Sequence, residues 1–465
     1  MPLNSSFLKH YKIPALLAIT SALFYVSFAY DLVRTDYTKL IMLYSALFFL
    51  FYKIIKITKH NIKFLTWIAF GFRTIFILAI PNLSQDFYRF IWDGRMILEG
   101  INPYLFTVEA FISNGEFPVS QAQELYARMG ELNASHYTNY PPINQLCFVI
   151  AGLFAGKSIL GSVIVMRLLI IAADFGTLFF GKKLLVKLNI PVYNIFWYIL
   201  NPFIIIELTG NLHFEGVMIF FLVWSLYLLH SGKWKFAAVV FALSVSAKLI
   251  PLMFLPLFYQ WFAKNKKTSQ VLKTCEVSKI KLVGFYSIVG FSTILLFLPF
   301  YSSEFITNYA QTVALWFQNF EFNASLYYIA REIGYSFRGW NEIAVIGKII
   351  PAIVILFVLI ITFFRKNKTT IQLITAMLLV LSFYYFTATT VHPWYIATLL
   401  ILSVFTKYIF PLVWSFVIVL SYLAYANSDN TENLWIIGLE YLVVYSVFIW
   451  EVFFKKTPKE SVNVL

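Results

Sequence analysis

Long apolar runs follow one another along the whole chain and are separated by shorter polar segments. Most runs hold roughly 17–22 residues, and a helix of about 20 residues crosses a hydrocarbon core about 30 Å thick. Hydrophobic residues make up 60% of the 465 positions and charged residues only 12%, whereas soluble proteins carry about 25% charged residues. The pattern predicts an all-α polytopic integral membrane protein with about 13–14 transmembrane helices.

Basic residues concentrate in the short loops between the apolar runs. Lys53–Lys63, Arg365–Lys368 and the segment from Lys264 are examples, whereas Asn427–Asn433 is acidic. Because cytoplasmic loops are enriched in lysine and arginine, we expect the basic loops and both termini inside and Asn427–Asn433 outside. Anionic lipid headgroups then balance the net charge of +14, and no nucleic-acid partner is implied.

Two apolar runs do not fit a single crossing. Ile143–Gly156 has 14 residues, about 21 Å as a helix, so we expect a re-entrant or interfacial helix there. Phe236–Phe262 is long, but both of its flanks are basic. We therefore expect two short helices that meet at Ser246–Pro251 on the outer side.

This threading places every large polar insertion on the outer face. The insertions are Pro81–Pro142, Glu207–Gly216, the corner at Lys248, Tyr301–Asn341 and Thr387–Tyr395. Loops that converge on one face indicate a functional site there. The whole chain, residues 1–465, is then one membrane domain. Its expected parts are N-terminal spans (1–80), a large first outer loop with the candidate catalytic helix (81–142), core spans (143–300), a second outer loop (301–342) and C-terminal spans (343–465).

The first outer loop opens with "SQDFYRFIWDGRMILEGINPY", which places five charges within fourteen positions. The pattern predicts a helix with Ser84 as N-cap and Gly100 as terminator. Asp86, Arg89 and Asp93 would share one face of it. An amphipathic helix with solvated charges on the membrane surface is the alternative. A carboxylate at the outer mouth of a span, in a chain this poor in charge, is nevertheless a functional candidate.

Aromatic and amide side chains recur in three outer segments. "HYTNYPPINQLCF" carries Asn139, Tyr140 and Gln145, while Tyr104 ends the opening stretch and Trp394 lies in "VHPWY". Aromatic faces combined with planar polar groups are typical of sugar-binding sites. We interpret these five residues as candidate sugar- or acceptor-binding residues, although a capped helix start explains the "YPP" segment equally well.

Charged and titratable residues also mark the outer ends of other spans. Lys248 lies between two apolar runs, where an ammonium beside a backbone break is suited to hold a phosphate; a snorkelling lysine is the alternative. Glu207, His213 and Glu215 lie near the ends of two spans, but their spacing matches no metal motif, so no metal is expected. His392, alone, is more typical of a membrane interface than of a catalyst.

In this order, the polar segments resemble those of the bacterial GT-C-type glycosyltransferases that use polyprenyl-phosphate sugars. The resemblance is closest to the polyprenol-phosphate-mannose-dependent mannosyltransferases, which include glycosyltransferase family 87 and its α-1,6-mannosyltransferase relatives. It runs from about Ser84 to Ile401. The matching pieces are "SQDFYRFIWDGRMILEGINPY", "YPPINQLCF", "NPFIIIELTGNLHFEGVM", "AKLIPLMFLP", "FNASLYYIAR" and "VHPWYIATLLI".

The resemblance implies a GT-C fold in the bacterial inner membrane, with the active site on the extracytoplasmic side. It implies inverting transfer of a hexose, with mannose favoured, from a polyprenyl-phosphate donor to a lipid or glycan acceptor. No general acid is needed, because the leaving phosphate ester is already a stable anion, and neither a cofactor nor a metal is implied. Membrane lipids are the other expected partners.

The same resemblance assigns roles to residues. Asp86 is the expected general base, and Asp93 is expected to orient Arg89. Positive charge must hold the leaving phosphate, and the expected ligands are Lys248, Arg89 and, as a weaker candidate, His392. His213 and Glu215 join the expected sugar- or acceptor-binding residues.

Two other functions remain alternatives. A transporter or flippase of a lipid-linked sugar would place broken helices near the membrane midplane, often in inverted repeats. In this chain the breaks and charges cluster toward one face, and the sequence shows no repeat. A membrane polysaccharide polymerase or ligase would also use acidic residues and arginine at the outer face.

Overall fold

The computed structural model of the protein describes residues 5–263, 271–318, 320–427 and 429–455. This part of the chain is built from helices, and its one β-bridge, between Phe322 and Thr390, is isolated. Seven described helices are long and apolar enough to cross a membrane, and a bent helix pair raises the number to eight. The prediction of an all-α polytopic membrane protein is confirmed. The total of about 13–14 crossings would require the six shorter apolar segments to cross as well, and it stays a prediction.

The helices are numbered in chain order. The N-terminal spans and the first outer loop contain α1 (Ser5–Tyr30), α2 (Tyr37–Thr58), α3 (Ile62–Ile75), α4 (Asp86–Leu98), α5 (Val108–Ser113), α6 (Ala122–Met129) and α7 (Glu131–Ser135). The core contains α8 (Pro142–Ala155), α9 (Ile159–Lys187), α10 (Phe196–Ile199), α11 (Pro202–Ile204), α12 (Glu215–His230), α13 (Trp234–Ala247), α14 (Phe258–Phe262) and α15 (Val271–Phe297). The remainder contains α16 (Ser303–Gln318), α17 (Leu326–Arg338), α18 (Ile343–Phe364), α19 (Thr370–Thr387), α20 (Ile396–Val404), α21 (Phe410–Val417) and α22 (Leu434–Ile449).

Short 3-10 and π helices join these elements. The 3-10 helices are Val192–Ile195, Ile250–Leu257, Leu298–Phe300, Pro393–Tyr395 and Ile418–Ala426, and the π helices are Ile205–Gly210 and Trp450–Phe454. Side-chain caps explain where several α-helices begin. Asp36 and Ser158 accept hydrogen bonds from N–H groups in the first turns of α2 and α9, and Thr369 and Gln372 form a capping box at α19.

The chain bends sharply at the centre of the core. The helical segments Val192–Ile199 and Pro202–Gly210 meet at 49°. Asn201 caps the second segment, and the π-helical turn Ile205–Gly210 leaves carbonyl groups without helical partners. Arg167 donates to two of these carbonyls, those of Thr209 and Gly210, at 2.8 and 2.9 Å. The buried guanidinium therefore supplies hydrogen-bond donors to these carbonyl groups, which a membrane interior does not offer.

The predicted break in the run Phe236–Phe262 is confirmed. Helix α13 ends at Ala247, Lys248 has an extended backbone, and the 3-10 helix Ile250–Leu257 leads into α14. Helix α8 is also as short as predicted, with 14 residues. The basic segment that starts at Lys264 lies outside the described residues, as does most of the predicted basic segment Lys455–Lys459.

Helix α4 begins one residue later than predicted, with Gln85 as its N-cap. Ser84 is not its N-cap; the Ser84 hydroxyl instead accepts a hydrogen bond from the Asp86 N–H at 3.3 Å in the turn before the helix. Gly100, with φ of 77°, follows the end of the helix as expected. Gly94 allows α4 to lie directly on α8, because a Cβ there would come within 2.4 Å of the Phe148 carbonyl oxygen. The charged helix is thus held firmly against the core.

Candidate active site

A cavity of about 870 Å³ lies between the outer loops and the core helices. Its polar part is lined by the first outer loop, the break after α13 and the segment before α20, and its apolar part by α18 and Ile250–Leu257. Seven of the twelve predicted site residues contribute to the lining. They are Asp86, Asn139, Tyr140, Glu215, Lys248, His392 and Trp394.

Asp86 is half-buried on the cavity wall, in the first turn of α4. Asn133 donates a hydrogen bond to its Oδ1 at 3.2 Å, and its Oδ2 has no hydrogen-bond partner among the described residues. Burial raises the pKa of Asp86 above its ordinary value, while the Asn133 hydrogen bond and the charges of Lys248 and Arg34 act in the opposite direction. A carboxylate with one open oxygen in a cavity has the geometry to accept a proton.

Lys248 and Glu215 form an ion pair at the cavity wall. The Lys248 Nζ lies 2.9 Å from the Glu215 Oε1, and it also lies 5.7 Å from the centre of the Tyr140 ring. Glu215 begins α12 and is buried, and its Oε2 has no partner among the described residues. This pair therefore places an ammonium at the cavity wall, while the unpaired Glu215 Oε2 is enclosed by protein.

Stacked rings form one wall of the polar part. His213 stacks on Trp394 at 3.7 Å between ring centres, Trp394 on His392 at 4.6 Å, and His392 on Phe322 at 5.2 Å. Phe322 in turn stacks on Tyr425 at 5.9 Å. We call these five residues the ring column. Three of them, His392, Trp394 and Tyr425, line the cavity, and His213 lies behind Trp394.

The two histidines of the ring column are neutral. Burial, with a smaller contribution from the Lys248 charge, lowers the pKa of His392 to about 3, and it lowers the pKa of His213 well below its ordinary value. The neutral form of His392, which burial favours, can offer a hydrogen bond to a substrate but not a positive charge. In the described part of the chain, no three His, Cys, Asp or Glu side chains are grouped to hold a metal ion.

Four predicted site residues lie behind the cavity wall rather than along it. Arg89 donates to the Asp93 Oδ1 at 2.8 Å and to two backbone carbonyls at the end of the first outer loop. Gln145 donates to the other Asp93 oxygen at 3.1 Å, and the Tyr104 hydroxyl donates to the Tyr140 carbonyl at 2.5 Å. Arg89 therefore fixes α4 to the loop and does not line this cavity. Asp93, Gln145 and Tyr104 support the wall in the same way. The fifth residue away from the lining, His213, supports Trp394.

Two residues of the cavity lining, Arg34 and Tyr422, were not predicted from the sequence. Arg34, in the turn between α1 and α2, lines the cavity, and its Cζ lies 4.2 Å from the centre of the Tyr425 ring. Tyr422 also lines the cavity, and its hydroxyl donates to both oxygens of the buried Glu207, at 2.8 and 3.0 Å. A signal existed for Arg34, because the threading puts this arginine on the outer side, where basic residues are depleted. No local pattern pointed to the distant pairing of Tyr422 with Glu207.

The apolar part of the cavity continues from Lys248 along two helical segments. Ile250, Met253 and Pro256 line it on one side, and Val354 and Val358 of α18 line it on the other. Helix α18 is among the seven spanning helices, and its Ile355 and Leu356 side chains are exposed on the surface. The cavity thus connects a charged centre to an apolar groove beside a membrane span.

Comparison with known families gives one match. Residues 28–264 match the family described as alpha-(1→6)-mannopyranosyltransferase, N-terminal domain, which covers half of the chain and includes Asp86 and Lys248. The search of curated proteins and the search of solved structures find no significant match. The chain therefore belongs to the alpha-(1→6)-mannopyranosyltransferase family and is a membrane glycosyltransferase.

Proposed function

We propose that the protein transfers a mannosyl residue from a polyprenyl-phosphate donor to a lipid or glycan acceptor at the extracytoplasmic face of a bacterial inner membrane, with inversion at the anomeric carbon. The family match supports the sugar transfer itself. The donor class is supported by the cavity, in which Asp86 and Lys248 share one space with an apolar groove. A lipid phosphate needs both features, a charge for its head and apolar surface for its chain.

The groups on the cavity wall suit a single displacement. The acceptor oxygen attacks the anomeric carbon as its proton passes to Asp86 Oδ2, while the bond from the anomeric carbon to the phosphate oxygen breaks with its electron pair. The leaving group departs as a polyprenyl phosphate, and the Lys248 ammonium stabilises the charge that grows on it. A β-linked donor gives an α-linked product. The Asn139 amide and the Trp394 face are available to orient the sugar.

Product analysis tests this function directly. Isolated membranes, or the purified protein with a membrane-lipid extract, receive polyprenyl-phosphate mannose that is radiolabelled in the sugar. We expect labelled mannose in a new product that is released by α-mannosidase, with no added polymer donor. Movement of the intact donor across a vesicle membrane without a new glycosidic bond would contradict the proposal and indicate a transporter.

We expect Lys248→Met to reduce donor affinity or turnover by about 10- to 100-fold. A charge-assisted hydrogen bond contributes about 1.5–3 kcal/mol, and methionine keeps most of the apolar volume of the lysine stem. Lys248→Arg should recover part of the loss, because it keeps the charge with a different geometry. The measurement is the rate of transfer against donor concentration, in detergent.

Two controls separate phosphate binding from the ion pair with Glu215. The double variant Lys248→Met/Glu215→Gln removes the ammonium without leaving a buried carboxylate unpaired, and it should stay impaired toward the donor. Lys235→Met changes an exposed lysine at the other end of α13 and should be neutral. Wild-type kinetics in Lys248→Met would show that the lysine only snorkels and that the phosphate is held elsewhere.

A further inference from the structure

Arg34 is a cation on the cavity wall that has no acidic partner. It lies in the short turn between α1 and α2 and is half-buried. Its contacts are the stacking of its guanidinium on Tyr425 and one long hydrogen bond, 3.5 Å, to the Leu83 carbonyl. No carboxylate in the described part of the chain lies within ion-pair distance of it. Stacking on a ring leaves the in-plane N–H donors of a guanidinium open to a ligand.

The charges around the cavity make Arg34 different from Lys248. Lys248 is neutralised by Glu215 at 2.9 Å, and Asp86 and Glu131 are the other acidic residues in the lining. Arg34 is thus the cation in the lining that forms no ion pair, and its charge acts on Asp86 only at longer range. A planar guanidinium in this position suits a phosphate or a carboxylate, which it binds through paired hydrogen bonds.

The position of Arg34 favours the acceptor rather than the donor. Lys248 directly precedes the 3-10 helix that lines the apolar groove, so a donor phosphate at the head of the groove lies beside Lys248. Arg34 contacts a different set of residues, Leu83 and Tyr425, and neither belongs to the groove. Leu83 lies three residues before Asp86 in the chain, and the Arg34 charge acts on Asp86, the proposed base.

We propose that Arg34 forms an anion subsite for the acceptor, which would carry a phosphate or carboxylate close to the hydroxyl that is glycosylated. The inference rests on the proposed function, because it divides the cavity into a donor side at Lys248 and an acceptor side at Arg34. The subsite selects anionic acceptors over neutral ones, because a neutral sugar leaves the arginine charge without a partner at the reacting centre. It also brings the acceptor hydroxyl toward Asp86.

Binding of small probes to the purified full-length protein in detergent tests the subsite. The probes are mannose 6-phosphate, mannuronate and neutral mannose, each titrated by calorimetry or saturation-transfer NMR. The proteins are wild type, Arg34→Met, Arg34→Lys and, as a matched control, Arg128→Met, which alters an exposed arginine of the same outer face that pairs with Glu124. We expect Arg34→Met to weaken the binding of at least one of the two anionic probes by about 10- to 100-fold and to leave the binding of mannose unchanged. Arg34→Lys should be intermediate.

Farnesyl phosphate, a short polyprenyl phosphate, distinguishes the two sides of the cavity. It should bind Arg34→Met as it binds wild type, which also shows that the variant is folded. It should not displace the anionic sugar from wild type. Equal binding of both anionic probes to Arg34→Met and wild type, or competition between farnesyl phosphate and the anionic sugar, would overturn the proposal. The measurement contains no donor sugar, so absence of mannosyl transfer would count against the proposed function alone.

Discussion

Asp86→Asn is expected to abolish transfer while the protein remains folded and inserted. The asparagine side chain keeps the shape of the aspartate and the contact with Asn133, but it cannot accept the acceptor proton. General base catalysis contributes about 10²–10⁴-fold, so the rate should fall by at least about 10²-fold. The measurement is the initial rate of mannosyl transfer, normalised to folded protein. Donor binding should change little, because the base contacts the acceptor.

The pH dependence of the wild-type rate gives a second readout of the same prediction. Asp86 must be ionised to act as a base, and burial raises its pKa above the ordinary value. The rate should therefore fall as the pH decreases through this raised pKa, and the acidic limb should lie above the range of an exposed aspartate. In Asp86→Asn this limb should disappear from the residual activity.

Two matched variants make the result specific to Asp86. Asp31→Asn changes an exposed carboxylate that pairs with Lys39, and it should transfer normally. Asp93→Asn should impair transfer less than Asp86→Asn, because Asp93 acts through Arg89 and Gln145 behind the wall. Near-normal turnover of Asp86→Asn would exclude it as the base. Glu215, which pairs with Lys248 at the cavity wall, would then be the next carboxylate to test.

The parts of the fold that depend on local pattern were predictable. Apolar run length predicted the all-α membrane class, and two basic flanks predicted a break near Lys248, where the structure shows one. Because the rest of the chain has few charged residues, Asp86 was a candidate functional residue, and the structure places it on the cavity wall. In each case the deciding quantity, hydrophobic length or charge, lies within a single segment.

The parts that depend on distant contacts were not predictable. Arg89 lies three residues after Asp86 on α4. Its guanidinium nevertheless donates hydrogen bonds to Asp93 and to loop carbonyls, and it does not line the cavity. Phe322 reaches His392 because its N–H and carbonyl pair with backbone groups of residues 389 and 391. Such pairings join segments about 70 positions apart, and no periodicity within either segment encodes them.

A second ionic feature, buried among the helices, supports the fold rather than the chemistry. Arg73 of α3 and Asp174 of α9 are fully buried, with 2.8 Å between Nε and Oδ2. Arg73 also donates to the Ile199 carbonyl at 2.7 Å, immediately before the bend between α10 and α11. The pair therefore ties α3 and α9 to the point where the core bends.

Asp174→Asn is expected to destabilise the protein by about 3–5 kcal/mol, because it leaves the Arg73 charge buried without a counter-charge. The free energy of unfolding, measured by titration with a denaturing detergent, should fall by this amount. The double variant Arg73→Met/Asp174→Leu should be more stable than Asp174→Asn, since it buries no charge, although the Ile199 carbonyl loses a donor. Lys39→Met, which breaks the exposed pair with Asp31, should change the free energy by less than about 1 kcal/mol. If Asp174→Asn matches that surface variant, the buried pair is not what holds α3 and α9 at the bend.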